Sequence, residues 1–175
     1  MQIIKTNFKD LLIYKKDTFQ DNRGYFRELF LQKHFKKKFV FDVMSLSRKD
    51  VLRGLHIQTQ YPQGKLISVF RGKIFDVCVD CRPKSKTFGK YFYIELDENK
   101  NISLFIPEGF AHGFISMKSN TIIHYKCTTY RNEKSETGIL WNDKDLKIKW
   151  PIKNPILSEK DAKNQTFSNF IKNYK

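Results

Sequence analysis

The sequence predicts an all-β fold, a sandwich or barrel of short strands in one domain spanning residues 1–175. Three observations point there. The chain is 40% hydrophobic and carries 16 Phe and 8 Tyr, enough apolar and aromatic surface for a packed core. Short runs rich in Ile, Val, Phe and Tyr recur along it. Turn signals separate those runs at near-regular intervals.

The runs are, in order, IIKT, LLIYKK, FDVMSLS, KLISVFRG, KIFDVCVD, KYFYIELD, ISLFIP, AHGFISM and TIIHYKCTTY. Between them stand Asn22-Arg23-Gly24, Arg71-Gly72, Arg82-Pro83, Asp97-Glu98-Asn99 and Pro107-Glu108-Gly109, all turn-forming combinations. In KIFDVCVD the alternation sets Phe75, Val77 and Val79 on one side. The segment Glu28 to Lys37, with Leu29, Phe30 and Phe35 among charged residues, is expected to be helical. From Leu146 onward the chain is polar, Lys-rich and broken by Pro151 and Pro155, so loops and short helical turns are expected. Strands packed as two sheets can hold a ligand between them, lined by the inward residues of each strand.

Composition narrows the function. The formal charge is +15, with a pI near 9.7, but Lys outnumbers Arg by 26 to 7. The Lys residues are dispersed, Lys36-Lys37-Lys38 being the only tight run. Readers of nucleic acid favour Arg for bidentate contacts, so this is a solvated surface and nucleic acid is not the expected partner. Such a surface still attracts an anionic ligand, a diphosphate included. The N-terminus lacks a signal-peptide pattern, and no apolar run reaches the roughly 18 residues of a membrane span. A cytoplasmic protein with no membrane partner is expected. Cys78 and Cys81 form a C-x-x-C, but with only Cys127 besides them and an apolar run around Cys78 they read as ordinary buried thiols.

Four polar clusters interrupt apolar surroundings. They are Asp21-Asn22-Arg23-Gly24 with Glu28, then Arg53-Gly54-Leu55-His56 with Lys65, then Pro107 to Gly113 with His112, and Tyr125 in TIIHYKCTTY. Taken singly, each has a structural explanation. A lone His on an apolar strand is more often a hydrogen-bonded core residue than a catalyst. Their joint occurrence argues for a site.

The spaced motifs resemble a cupin, whose second box reads Pro-x-Gly-x-x-His, met by Pro107, Gly109 and His112. Within that superfamily the chain closely resembles the dTDP-4-dehydrorhamnose 3,5-epimerase family. The resemblance runs from Asp21 to Asp161, through DNRGYFRE, VLRGLHIQ, QGKLISVFRGKIFDVCVD, SKTFGKY, FIPEGFAHGF, YKCTTY, WNDKDLKIKWP and ILSEKD. It implies a cupin jelly-roll sandwich or barrel with a few short helices. Metal-binding cupins use His-x-His and a downstream Glu in the first box. This chain has His56, then Gln58, then Gln63-Gly64-Lys65. Two of four ligands remain and a Lys cation opposes a metal, so no metal and no cofactor are expected.

The resemblance further implies a nucleotide-diphosphate 4-keto sugar as substrate. Protons on the carbons flanking the ketone are weakly acidic because their loss gives an enolate. By position, His56 matches the general base, Asp161 its orienting carboxylate, Tyr125 the acid, and Lys65 the cation near the sugar oxygen. Arg23, Glu28, Arg53, His112, Glu136 and Lys160 match residues that hold the sugar and diphosphate. Family members are homodimers that exchange N-terminal strands, so Arg23 and Glu28 would serve a neighbouring subunit's site.

Two departures touch the base. The resemblance implies that members using dTDP usually have Gln-Asp-Asn where this chain has Phe41-Asp42-Val43, and a second tyrosine, which stacks on thymine, where it has Arg131. A guanidinium plane stacks on a larger base. A GDP-linked 4-keto hexose or heptose for capsule or lipopolysaccharide is therefore the expected variant. The alternatives are a cupin 3,4-ketoisomerase of a nucleotide sugar and a non-catalytic sugar-binding cupin.

Overall fold

A computed structural model describes residues 1–174. The strands are β1 (Gln2–Lys5), β2 (Leu12–Lys15), β3 (Thr18–Asp21), β4 (Gly24–Arg27), β5 (Phe41–Ser47), β6 (Leu52–Gln58) and β7 (Lys65–Arg71). They continue as β8 (Lys73–Asp80), β9 (Tyr91–Asp97), β10 (Ile102–Ile106), β11 (Phe110–Ser116), β12 (Thr121–Cys127) and β13 (Glu136–Gly138). Two short helices follow, α1 (Glu159–Ala162) and α2 (Phe167–Asn173). No helix among the described residues is long and apolar enough to cross a membrane.

The strands form two antiparallel sheets. One has the order β1-β2-β10-β7-β12-β5, the other β13-β6-β11-β8-β9, and β3 and β4 make a separate hairpin. The expected all-β jelly-roll sandwich is what the chain adopts. Its apolar residues sort into three layers. Ile67, Val69, Ile74, Leu96, Leu104, Phe114 and Ile123 fill the space between the sheets. Phe75, Val77 and Val79 lie on the far side of the five-stranded sheet, as their alternation predicts, under Leu146, Phe167 and Phe170 of the C-terminal segment. Each such fully buried side chain contributes roughly 1.5–3 kcal/mol. Caps secure the two helices: Ser158 accepts from the Asp161 N–H and Thr166 from the Asn169 N–H.

The third layer corrects one expectation. Residues 28–37 are not a helix; only Gln32–His34 make a 3₁₀ turn, with no side-chain cap. The chain runs irregularly so that Phe30, Phe35 and Phe39 cover Tyr14, Leu66 and Phe105 on the outer face of the six-stranded sheet. Phe30 stacks on Phe35 at 5.3 Å, and Phe39 meets both edge-on. Burying three rings against one sheet outweighs the propensity of an uncapped helix. The buried Lys16 also ties this segment down, donating to the Leu29 carbonyl at 2.6 Å and to Ser103 Oγ at 2.8 Å. Burial pulls its ammonium down to about 8.

The C-x-x-C has no joint role in the fold. Cys78 points into the layer between the sheets and Cys81 into the layer beneath the C-terminal segment. All three thiols are free and buried.

Candidate active site

A cleft of about 340 Å³ opens between the sheets at the β5 edge. Arg53 and His56 of β6 both line it, although residues three apart on a regular strand face opposite ways. The register explains this. His112 pairs with His56, but Phe114 pairs with Arg53, so Gly54 and Leu55 together oppose Gly113 alone. The extra residue is a β-bulge that restores Arg53 and His56 to one face. Glycine is required at position 54. Its φ is +119°, and an added Cβ would sit 2.6 Å from both the Gly113 Cα and the His112 carbonyl oxygen.

His56 Nε2 lies 2.6 Å from Oδ1 of Asp161, which is itself buried on α1. The Gly54 N–H donates to the other carboxylate oxygen at 3.3 Å. Burial raises the Asp161 pKa, but the bonds from His56 and Gly54 outweigh it and hold the carboxyl below its ordinary value. An ionised Asp161 accepts from Nε2–H and leaves Nδ1 as the ring's acceptor. A second pair stands beside it: His112 Nε2 bonds Asp76 Oδ2 at 2.8 Å, both residues buried.

The six-stranded sheet supplies the opposite wall. Cys127 pairs with Phe41 and Lys65, and Tyr125 with Val43 and Ile67, so these side chains share the face toward the cleft. Tyr125 meets the His112 ring at 6.4 Å, near perpendicular, and its hydroxyl lies 3.2 Å from Ser45 Oγ. Burial raises the Tyr125 pKa, which keeps the phenol protonated. Burial also lowers that of Lys65. A histidine and a phenol thus line the cleft from opposite sheets, with Lys65 of β7 beside them.

At the rim, Glu136 is held by Arg131 Nε and Lys160 Nζ, each at 2.8 Å. Burial raises its pKa, yet the bonds from Arg131 and Lys160 bring it down to about 2. Arg53 is fixed by Ser47 Oγ and the Leu46 carbonyl, both at 3.1 Å. Gln58, at the position where metal cupins carry a second His, accepts from the Asn132 N–H at 2.8 Å and donates to the Tyr130 carbonyl at 3.3 Å. Its amide pins the loop that carries Arg131. Among the described residues, no three His, Cys, Asp or Glu side chains converge as metal ligands would.

His56, Lys65, Tyr125, Arg53, His112, Arg131 and Glu136 therefore line one cleft, with Asp161 behind His56 and Lys160 at the rim. Arg23 and Glu28 do not join it in their own chain. Arg23 sits at the tip of the β3–β4 hairpin, exposed and paired with Asp21 at 2.6 Å. Glu28 lies beside Lys16 and Phe30 on the outer face. Sequence reading missed Ser45, Asp76 and Phe114. Asp76 had a signal, as a carboxylate flanked by apolar residues inside the run IFDVCVD. Ser45 had none.

The jelly-roll sandwich, with a cleft opening between its sheets, places the protein in the cupin class. The model of the dTDP-4-dehydrorhamnose 3,5-epimerase family matches residues 5–169. The Shigella flexneri dTDP-4-dehydrorhamnose 3,5-epimerase is 45% identical over 174 residues, covering 95% of this chain and 96% of that one. The crystal structure of the Elizabethkingia anophelis NUHP1 enzyme superposes with a TM-score of 0.91 at 40% identity, covering 97% of each chain. The Legionella pneumophila Philadelphia 1 dTDP-6-deoxy-D-glucose-3,5-epimerase, in complex with dTDP-4-keto-L-rhamnose, gives 0.92 at 40% identity, covering 95% of this chain and 93% of that one. This chain belongs to the dTDP-4-dehydrorhamnose 3,5-epimerase family.

Proposed function

We propose that the protein epimerises C3, C5 or both of a nucleotide-diphosphate 4-keto sugar by proton removal on one ring face and return on the other. The observation that carries this reading is the opposition of His56, backed by Asp161 at 2.6 Å, and Tyr125 on the facing sheet. His56 Nδ1 takes the carbon-bound proton, and the C–H electron pair delocalises onto O4 as an enolate. The Lys65 ammonium stabilises that charge, an interaction whose loss typically costs 10²–10³-fold in kcat. Tyr125 then delivers its phenolic proton to the opposite face. Proton loss and gain balance, so the step uses no cofactor.

Arg53, His112, Glu136 and Lys160 hold sugar and diphosphate in this reading. Arg23 and Glu28 act in the cleft of a second copy. The 63%, 61% and 69% exposure of Phe19, Tyr25 and Phe26 on their hairpin supports such a homodimer, since apolar surface of this kind favours burial against a partner. The product is a sugar unit for surface polysaccharide.

The relatives' names favour dTDP as carrier. Phe41, Val43 and Arg131 at the cleft mouth favour a second reading, a GDP-linked hexose or heptose. Incubation in D2O with dTDP- and GDP-linked 4-keto sugars tests both. Deuterium at C3, C5 or both is expected, and His56→Asn abolishes it at each carbon. Tyr125→Phe still exchanges but inverts poorly. No exchange with any 4-keto substrate would sink the epimerase reading, and a clear dTDP preference would end the GDP one.

A further inference from the structure

We propose that Ser45 is a positioning residue for the acid, holding the Tyr125 hydroxyl in place and returning a proton to it after each transfer. The proposal rests on the epimerase reading above and deepens it. Ser45 Oγ lies 3.2 Å from Tyr125 Oη, across the pairing of β5 with β12. Val43 stands directly opposite Tyr125 and Ser45 opposite Ile123, so the two hydroxyls meet diagonally on the cleft face.

The location decides what the contact can do. β5 is the edge strand of its sheet, and Ser45 is half-buried, next to Met44, which is 67% exposed. Among the described residues Ser45 is the phenol's hydrogen-bond partner, and both side chains line the cleft. Two residues along, Ser47 Oγ accepts from Arg53 Nε at 3.1 Å. The alternate hydroxyls of one strand therefore support two different groups, the guanidinium and the phenol.

The chemistry requires such a partner. When Tyr125 gives its proton to the enolate carbon, the phenolic O–H bond breaks, a C–H bond forms, and a phenolate remains in surroundings that disfavour charge. An O–H donor at this distance offsets that cost. Inverting two carbons with one acid also demands that the acid be reloaded while the sugar stays bound. Ser45 passes its proton to the phenolate as a solvent water protonates the serine oxygen, and the proton taken by His56 returns to solvent. Charge and hydrogen balance without any further reactant.

Ser45→Ala and Ser45→Thr test this with dTDP-4-keto-6-deoxyglucose in D2O, following exchange and inversion at C3 and C5 separately by NMR. For Ser45→Ala we expect inversion to slow about 10- to 100-fold, with KM nearly unchanged. Exchange without inversion and the share of singly inverted product should both rise. Ser45→Thr, which keeps the hydroxyl, should recover most of the rate. Wild-type rate and product ratio in Ser45→Ala would overturn the proposal. So would a Thr variant as impaired as the Ala variant, because that would mark packing rather than the hydroxyl. Absence of exchange in the wild-type protein with both dTDP- and GDP-linked 4-keto sugars would instead remove the epimerase reading itself, and this proposal with it.

Discussion

His56 and Asp161 are 105 residues apart in the chain and 2.6 Å apart in space. The carboxylate comes from α1, whose Ser158 cap holds the Asp161 backbone N–H, and its second oxygen takes the Gly54 N–H. One carboxylate thus joins the C-terminal segment, the β6 bulge and the candidate base. Its ionised state fixes which imidazole nitrogen carries the proton.

Replacing Asp161 by Asn should leave the fold intact and disturb the base. An amide no longer favours the Nε2–H tautomer by charge, so kcat should fall roughly 10²–10⁴-fold, with KM little altered. Steady-state kinetics and deuterium exchange on the same variant check this. Equal exchange rates in variant and wild type would disconnect Asp161 from the chemistry.

Gly54→Ala should damage both stability and site. The new methyl meets the Gly113 backbone at 2.6 Å in a left-handed conformation, a combined cost of roughly 2–4 kcal/mol. Urea unfolding measures it. Because the bulge aligns Arg53 with His56, activity should fall even where the variant remains folded.

Acid should destabilise the protein through two carboxylates. Burial raises the Asp80 pKa, but bonds from Arg82, Ser85 and Thr87 outweigh it and lower the carboxyl to about 2 from an ordinary 3.8. Glu136 likewise sits at about 2. A carboxyl whose folded pKa is depressed contributes stability fully above its unfolded pKa and loses it as pH falls through the folded one. Urea midpoints should therefore hold above about pH 5 and drop between about pH 4 and 2. Asp80→Asn should flatten that drop and cost roughly 3 kcal/mol at neutral pH by stranding the Arg82 guanidinium.

Arg131→Tyr tests how the cleft mouth reads the base. Arg131 is bound to Glu136 and Glu133, and tyrosine removes both ion pairs while adding an aromatic face. If Arg131 selects a purine, the variant's inhibition by dTDP should strengthen relative to GDP by about tenfold, or 1.4 kcal/mol. Unchanged relative inhibition would exclude Arg131 from base selection.

The sequence by itself determined most of the strands and most of the residues that line the cleft. FDVMSLS and KIFDVCVD became β5 and β8 residue for residue, because β-branched and aromatic runs bounded by turn residues are a local signal. The spaced His56, Lys65, His112 and Tyr125 came together in one cleft. The tertiary structure alone decided the rest. Strand parity has a period of two, so a regular β6 would turn Arg53 and His56 to opposite faces. Only the bulge formed where Gly54 crowds Gly113 returns them to one. Residues 28–37 have a plausible helical pattern, yet a sheet face that needs covering drew their rings into another path. Ser45 carries no mark in the sequence because a serine on a strand is ordinary; the pairing of β5 with β12 is what sets its hydroxyl beside the Tyr125 phenol.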